Sequence, residues 1–120
     1  MNVNPTLSAA CRRAVATVLA TATMLCVTTT MAADGQYALT IQDHRFQPAE
    51  LVIPAGTKIR LAVENRDATP EEFESHDLNR EKIITGRSTA TIYVGPLAPG
   101  RYRFFGEYNE KTAQGVIVAQ

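Results

Sequence analysis

Residues 51–65 read LVIPAGTKIRLAVEN, and this stretch decides the fold class. Leu51, Val52 and Ile53 run into Pro54-Ala55-Gly56, a turn signal, because Pro presets φ and Gly accepts the left-handed region. Beyond the turn, Ile59, Leu61 and Val63 share one face while Lys58, Arg60 and Glu64 share the other. A period of two belongs to a half-buried strand, not a helix. The same rhythm extends outward in both directions. Tyr37, Leu39 and Ile41 alternate with Gln36, Ala38 and Thr40. Ile83 and Ile84 lead to Gly86, and Ala90, Ile92 and Val94 then alternate with Thr89, Thr91 and Tyr93. Pro99-Gly100 marks another turn, Tyr102 and Phe104 begin a further inward-facing strand, and Val116, Ile117 and Val118 close the chain as a buried one. About seven strands with turns roughly every 8–12 residues imply an all-β, antiparallel sandwich in a single domain. Two stretches fall outside this pattern: Asn65 to Asp77 reads as a long polar loop, and Asn79 to Lys82 suits a single helical turn.

The first 32 residues carry a different pattern. Arg12 and Arg13 precede a short apolar stretch from Ala14 to Val27, and small residues follow at Thr30, Ala32 and Ala33. A membrane-spanning helix needs roughly 20 strongly apolar residues. This stretch is shorter and ends in a cleavage-like sequence, which predicts an export signal cut after Ala32, a domain over residues 33–120, and a periplasmic protein. An uncleaved membrane anchor is the alternative. Cleavage removes both cysteines, Cys11 and Cys26, and all three methionines, Met1, Met24 and Met31. No disulfide, thiolate nucleophile or thioether ligand then remains, so a metal site must be built from His, carboxylates and backbone. The whole chain balances twelve Lys and Arg against twelve Asp and Glu. That balance argues against a nucleic-acid partner, which demands a basic excess.

Two segments can carry chemistry. TPEEFESHD, Thr69 to Asp77, holds Glu71, Glu72, Glu74, Asp77 and His76. FFGEYNE, Phe104 to Glu110, places Glu107 where the penultimate strand ends. On extended backbone Glu72, Glu74 and His76 point one way and Phe73 points to the core. Clustered carboxylates with an imidazole favour hard or borderline cations such as Fe, Mn or Cu(II). A solvated acidic loop has the same composition. His44, between Asp43 and Arg45, is the second histidine and suits a strand-ending turn or a metal ligand. No Ser-His-Asp arrangement and no Gly-rich phosphate loop is legible, so hydrolase and kinase readings have no support.

Nearly the whole chain from Tyr37 onward resembles small periplasmic cupredoxin-like proteins of bacterial iron uptake. The resemblance runs through FQP (Phe46 to Pro48), LVIPAG, TPEEFES, DLNREK (Asp77 to Lys82), GPL (Gly95 to Leu97), PGRY (Pro99 to Tyr102) and TAQG (Thr112 to Gly115). Its specific part is EEFES paired with DLNREK. It is similar to the cupredoxin part of EfeO-type proteins and to the cupredoxin partners of FTR1-type iron permeases. The resemblance implies a Greek-key sandwich and a role in periplasmic iron or copper handling, with an inner-membrane iron permease and other periplasmic iron-uptake proteins as candidate partners. Blue-copper carriers use His, Cys, His and Met. In rough alignment Glu71 or Glu72 stands at the first His, Gly106 near the Cys and Ala113 near the Met. Relatives often carry His where Asn109 stands, so the resemblance implies weaker Cu(II) binding here or the use of His76 or His44 instead.

These observations together give an expected metal set of Glu72 and Glu107 at the centre, with Glu74, His76, Asp77 and His44 as further ligands or orienting groups. The expected ion is copper and/or iron, outside a blue type 1 site, and ferroxidase-type activity is open. Two other classes fit the same residues. One is a copper chaperone or buffer without turnover. The other is a metal-free module docking on a permease through the mixed charges Arg80, Glu81 and Lys82.

Overall fold

The computed structural model describes residues 35–120, so the export segment and its cleavage lie outside the described residues. Nine strands follow in order: β1 (Gln36–Gln42), β2 (Arg45–Gln47), β3 (Glu50–Ile53), β4 (Ile59–Asn65), β5 (Glu71–Ser75), β6 (Arg80–Ile84), β7 (Ser88–Val94), β8 (Gly100–Gly106) and β9 (Gln114–Ala119). A 3-10 turn, Glu107–Asn109, directly follows β8. The strands form two sheets, in the orders β2-β1-β4-β7 and β3-β9-β8-β5-β6. Neighbours are antiparallel except β1 beside β4 and β3 beside β9, which are parallel. The expected all-β sandwich is thus the fold, with nine strands where about seven were legible.

The alternating residues meet between the sheets. Leu39, Ile41, Ile59, Leu61, Val63, Ile92 and Val94 face inward from the first sheet, and Ile53, Phe73, Ile84, Phe104 and Ile117 from the second. Phe46 sets its edge against Phe73 and Phe104 at centroid distances of 6.1 and 5.0 Å, and those two rings stack at 5.0 Å. Edge and offset contacts of this kind add to what apolar burial alone contributes.

Two expectations are corrected. The stretch Asn65 to Asp77 contains β5, which lies between β8 and β6 inside its sheet instead of in a loop. Polar residues tolerate that place because their hydrogen bonds are made. Ser75 Oγ donates to the Arg103 carbonyl at 2.6 Å and accepts from Leu78 N–H at 3.2 Å. Likewise Arg80 to Lys82 extend as the start of β6, paired with Phe73, Glu74 and Ser75, and form no helical turn. The reversal between β5 and β6 occupies residues 76–79, with Asn79 at φ 51°, a value that Asn accepts more readily than most residues.

Asn65, at the end of β4, fixes the approach to β5. Its Nδ2 donates to the carbonyls of Thr69 (2.9 Å) and Ile84 (3.1 Å), and its Oδ1 accepts from Asp67 N–H at 3.0 Å. Asp67 in turn holds the β1–β2 hairpin. Its two carboxylate oxygens accept the N–H groups of Asp43 and His44 at 2.8 and 2.9 Å. Those two hairpin residues sit at φ 52° and 56°, the backbone that a two-residue hairpin turn requires.

Candidate metal centre

Period-two geometry on β5 sorts its acids between two faces. Phe73 faces the core, so Glu71 and Ser75 share its inward side while Glu72 and Glu74 lie on the outer face. Across the sheet, Glu74 pairs with Glu81 on β6 and with Phe105 on β8. The 3-10 turn that follows β8 brings Glu107 over the same face. One carboxylate oxygen each from Glu72, Glu74 and Glu107 lies within 4.8 Å of the others. His76 adds its ring at the rim, with Nδ1 3.3 Å from Glu74 Oε1 and the imidazole tilted 5.5 Å from the Phe105 ring.

Electrostatics marks this face as strongly negative. The Glu81 carboxyl is pushed above its ordinary value, first by Glu72 within hydrogen-bonding reach, then by the charges of Glu72 and Glu74, by desolvation, and by the charge of Glu107. Tyr108 is raised as well, first by desolvation and next by the neighbouring Glu72. Among the described residues, no Lys or Arg forms an ion pair with Glu72, Glu74, Glu81 or Glu107. The like charges around Glu81 disfavour its ionisation, and a cation bound on this face would offset them.

Two residues of the expected set lie apart from this group. Asp77 uses Oδ2 to accept Arg103 N–H at 2.7 Å, which anchors the start of the β5–β6 reversal. His44 sits in the β1–β2 turn with Nδ1 3.6 Å from Asp67 Oδ2. Two residues missing from that set join the face. Glu81 belongs to the mixed-charge docking alternative, and Tyr108 carries no signal in the sequence pattern. Register supplies the signal for Glu81: once β6 is a strand, its place opposite Glu74 follows.

Glu71 behaves unlike its neighbours. It is only 1% exposed. Oε1 accepts N–H groups from Glu72 and Tyr108, each at 3.0 Å, and Oε2 accepts Asn109 Nδ2 at 2.7 Å. Gly106 makes room for it. A methyl group on the Gly106 Cα would lie 2.6 Å from Glu71 Cδ and 2.7 Å from Ala113 Cβ, closer than atoms tolerate. Glu71, Gly106, Asn109 and Ala113 therefore form one packed cluster beneath the turn.

The chain matches the family described as "Cupredoxin-like domain" over residues 15–119. It is 50% identical over 80 residues to protein RP394 of Rickettsia prowazekii (strain Madrid E), a match covering 67% of this chain and 64% of that relative, so the chain spans less than two thirds of the relative's length. Among solved structures, auracyanin A, a "blue" copper protein from Chloroflexus aurantiacus, superposes with a TM-score of 0.61 at 13% identity, covering 71% of this chain and 98% of that one. Amicyanin from Paracoccus versutus does so with a TM-score of 0.57 at 14% identity, covering 71% and 81%. At these identities the structural likeness establishes the fold alone. With the family match running through every strand of the two-sheet sandwich, the chain belongs to the cupredoxin-like domain family.

Proposed function

We propose that this chain is a periplasmic metal-binding protein that assists iron import, taking its ion at Glu72, Glu74 and Glu107 on the outer face of the second sheet. The observation that carries the reading is the convergence of three carboxylates within 4.8 Å, backed by Glu81 and free of Lys or Arg counter-charges among the described residues. Oxygen-only donors suit hard ions, and His76 beside Glu74 adds the imidazole that a borderline ion such as Cu(II) accepts. A thiolate-bound copper, of the kind a blue copper protein holds, does not fit. Residues 35–120 contain neither Cys nor Met, and the space beneath the 3-10 turn is filled by the Glu71 carboxylate.

Iron here is cargo. Carboxylate oxygens stabilise Fe(III) relative to Fe(II), so loss of an electron from bound Fe(II) to dioxygen or Cu(II) becomes more favourable at such a site. An inner-membrane iron permease is the partner that this reading calls for. The test is an anaerobic titration of the purified chain with Fe(II), Mn(II) and Cu(II), with bound ions counted by native mass spectrometry. Stoichiometric binding that is lost in Glu72→Ala plus Glu107→Ala supports the site. Oxidation of Fe(II) that proceeds unchanged in that double variant sinks the catalytic form.

A second reading is copper binding without turnover. It is favoured by the copper named for the auracyanin neighbour and by the His76–Glu74 contact. It predicts one stable Cu(II) equivalent with no acceleration of iron oxidation.

A further inference from the structure

We propose that Glu71 is the positioning residue of the acidic site, tying the 3-10 turn that bears Glu107 to the strand that bears Glu72 and Glu74. The inference rests on the metal-binding reading above. One oxygen atom, Glu71 Oε1, accepts the N–H of Glu72 and the N–H of Tyr108, so a single acceptor fixes the backbone on both sides of the site. The second oxygen takes the Asn109 side chain from the far end of the same turn. The turn has no cap of its own. Its N-cap residue is Gly106, with no side-chain hydrogen bond to the first turn. Tyr108 is the second residue of the turn, whose N–H an N-cap oxygen ordinarily accepts. Glu71 supplies that oxygen from the neighbouring strand, and Gly106 has no side chain to block its approach. Glu107 therefore takes its place from a buried group that does not face the ion.

Substitutions at Glu71 and Asn109 separate positioning from charge. In Glu71→Gln the amide oxygen still accepts both backbone N–H groups, and Asn109 can present its own oxygen to the new NH2. In Glu71→Leu the volume stays but every acceptor is lost. Asn109→Asp sets a second carboxylate against Glu71 and expels the turn, although added negative charge alone would tighten cation binding.

The experiment is a titration of the full chain with Mn(II) alone, read by the free-ion magnetic resonance signal, with Tyr108 amide hydrogen exchange followed in the same samples. The expected result is a loss of Mn(II) affinity of about 10- to 100-fold in Glu71→Leu, the range typical of groups that orient ligands. Asn109→Asp should weaken binding too, Glu71→Gln should stay near wild type, and Tyr108 protection should fall only in the two weakened variants. Unchanged affinity in a folded Glu71→Leu overturns the positioning role. So does a Glu71→Gln as weak as the leucine variant, because charge and not geometry would then be at work. If Glu71→Leu fails to fold, Asn109→Asp decides alone, and tighter Mn(II) binding there overturns the proposal. A wild-type chain that binds no Mn(II), Fe(II) or Cu(II) overturns the metal reading itself, which distinguishes that failure from the others.

Discussion

Glu71 and Glu72 are consecutive residues with the same side chain on one strand, and they live in opposite surroundings. Glu71 faces inward among N–H donors from Glu72, Tyr108 and Asn109. Glu72 faces outward among other carboxylates, those of Glu74, Glu107 and Glu81. The pleat alone separates them, because successive side chains on a strand point to opposite faces. The inner carboxylate is satisfied by the protein and holds structure. The outer ones are frustrated by one another and are left to be satisfied by something that binds.

The largest expected effect breaks the inner side of that contrast. Glu71→Ala leaves the N–H groups of Glu72 and Tyr108 and the Asn109 amide without their acceptor. The Glu72 N–H is buried and the Tyr108 and Asn109 donors are partly so. An unsatisfied buried group costs about 1–3 kcal/mol and a partly wetted one less, so urea denaturation should register a loss of about 3 kcal/mol. Glu72→Ala removes a repelling charge instead, and in metal-free protein it should leave stability unchanged or raised. Equal losses in the two variants would erase the distinction between the faces. Next in size is Gly106→Ala, whose new methyl would press on Glu71 and Ala113. Gly106 has an ordinary φ of −93°, so the cost is overpacking and not backbone strain, about 1–3 kcal/mol by the same measurement.

That same contrast explains what could be read before the fold was known. Ile59, Leu61 and Val63, or Ile92 and Val94, announce themselves because an apolar residue at every second place has one plausible destination. Strand β5 carries EEFES, with a single apolar residue, and its inner positions are filled by Glu71 and Ser75. Their hydrogen bonds come from residues as far away as Arg103, Tyr108 and Asn109, and no local pattern contains them. Glu72, Glu74 and Glu107 could be named from composition and resemblance, but their meeting depends on a turn fixed by Glu71. His44 and Asp77 belong to the same expected set as further ligands or orienting groups. Only the chain's path, which turns one toward Asp67 and the other toward Arg103, separates them from the acidic face.

A smaller change sharpens the outer side. Glu81 holds a raised carboxyl, so between the ordinary glutamate value and its folded value the native state binds more protons than the unfolded chain. Stability therefore falls as pH rises through that window. Glu81→Gln removes the decline, and the metal-free protein should melt slightly higher at neutral pH than wild type. A bound divalent ion should raise the wild-type melting temperature in the same direction through its preference for the folded state. If Glu81→Gln lowers the melting temperature of the metal-free protein, the picture of a self-repelling face is wrong.

The smallest effect concerns Asp67, which repeats the device of Glu71 near the surface. Its two oxygens accept the Asp43 and His44 N–H groups, and the His44 bond is the leading cause that holds its carboxyl below the ordinary range. Here the sign is opposite to that of Glu81. The unfolded chain takes up the proton first, so the contribution of Asp67 is fully present above the ordinary aspartate value of about 3.9 and is lost as pH falls through the lower folded value. Asp67→Asn keeps one acceptor oxygen but cannot bind both N–H groups, and it should flatten the acid limb of the stability curve while leaving metal binding untouched. Its cost should be smaller than that of Glu71→Ala because water can reach the freed N–H groups of Asp43 and His44, both of which are exposed. Thermal melts from pH 5 to pH 2.5 measure the difference. An Asp67→Asn curve with an undiminished acid limb would show that two backbone N–H groups gain nothing from a shared carboxylate at the surface. The burial of Glu71, and not its donors alone, would then account for the difference between the two faces of β5.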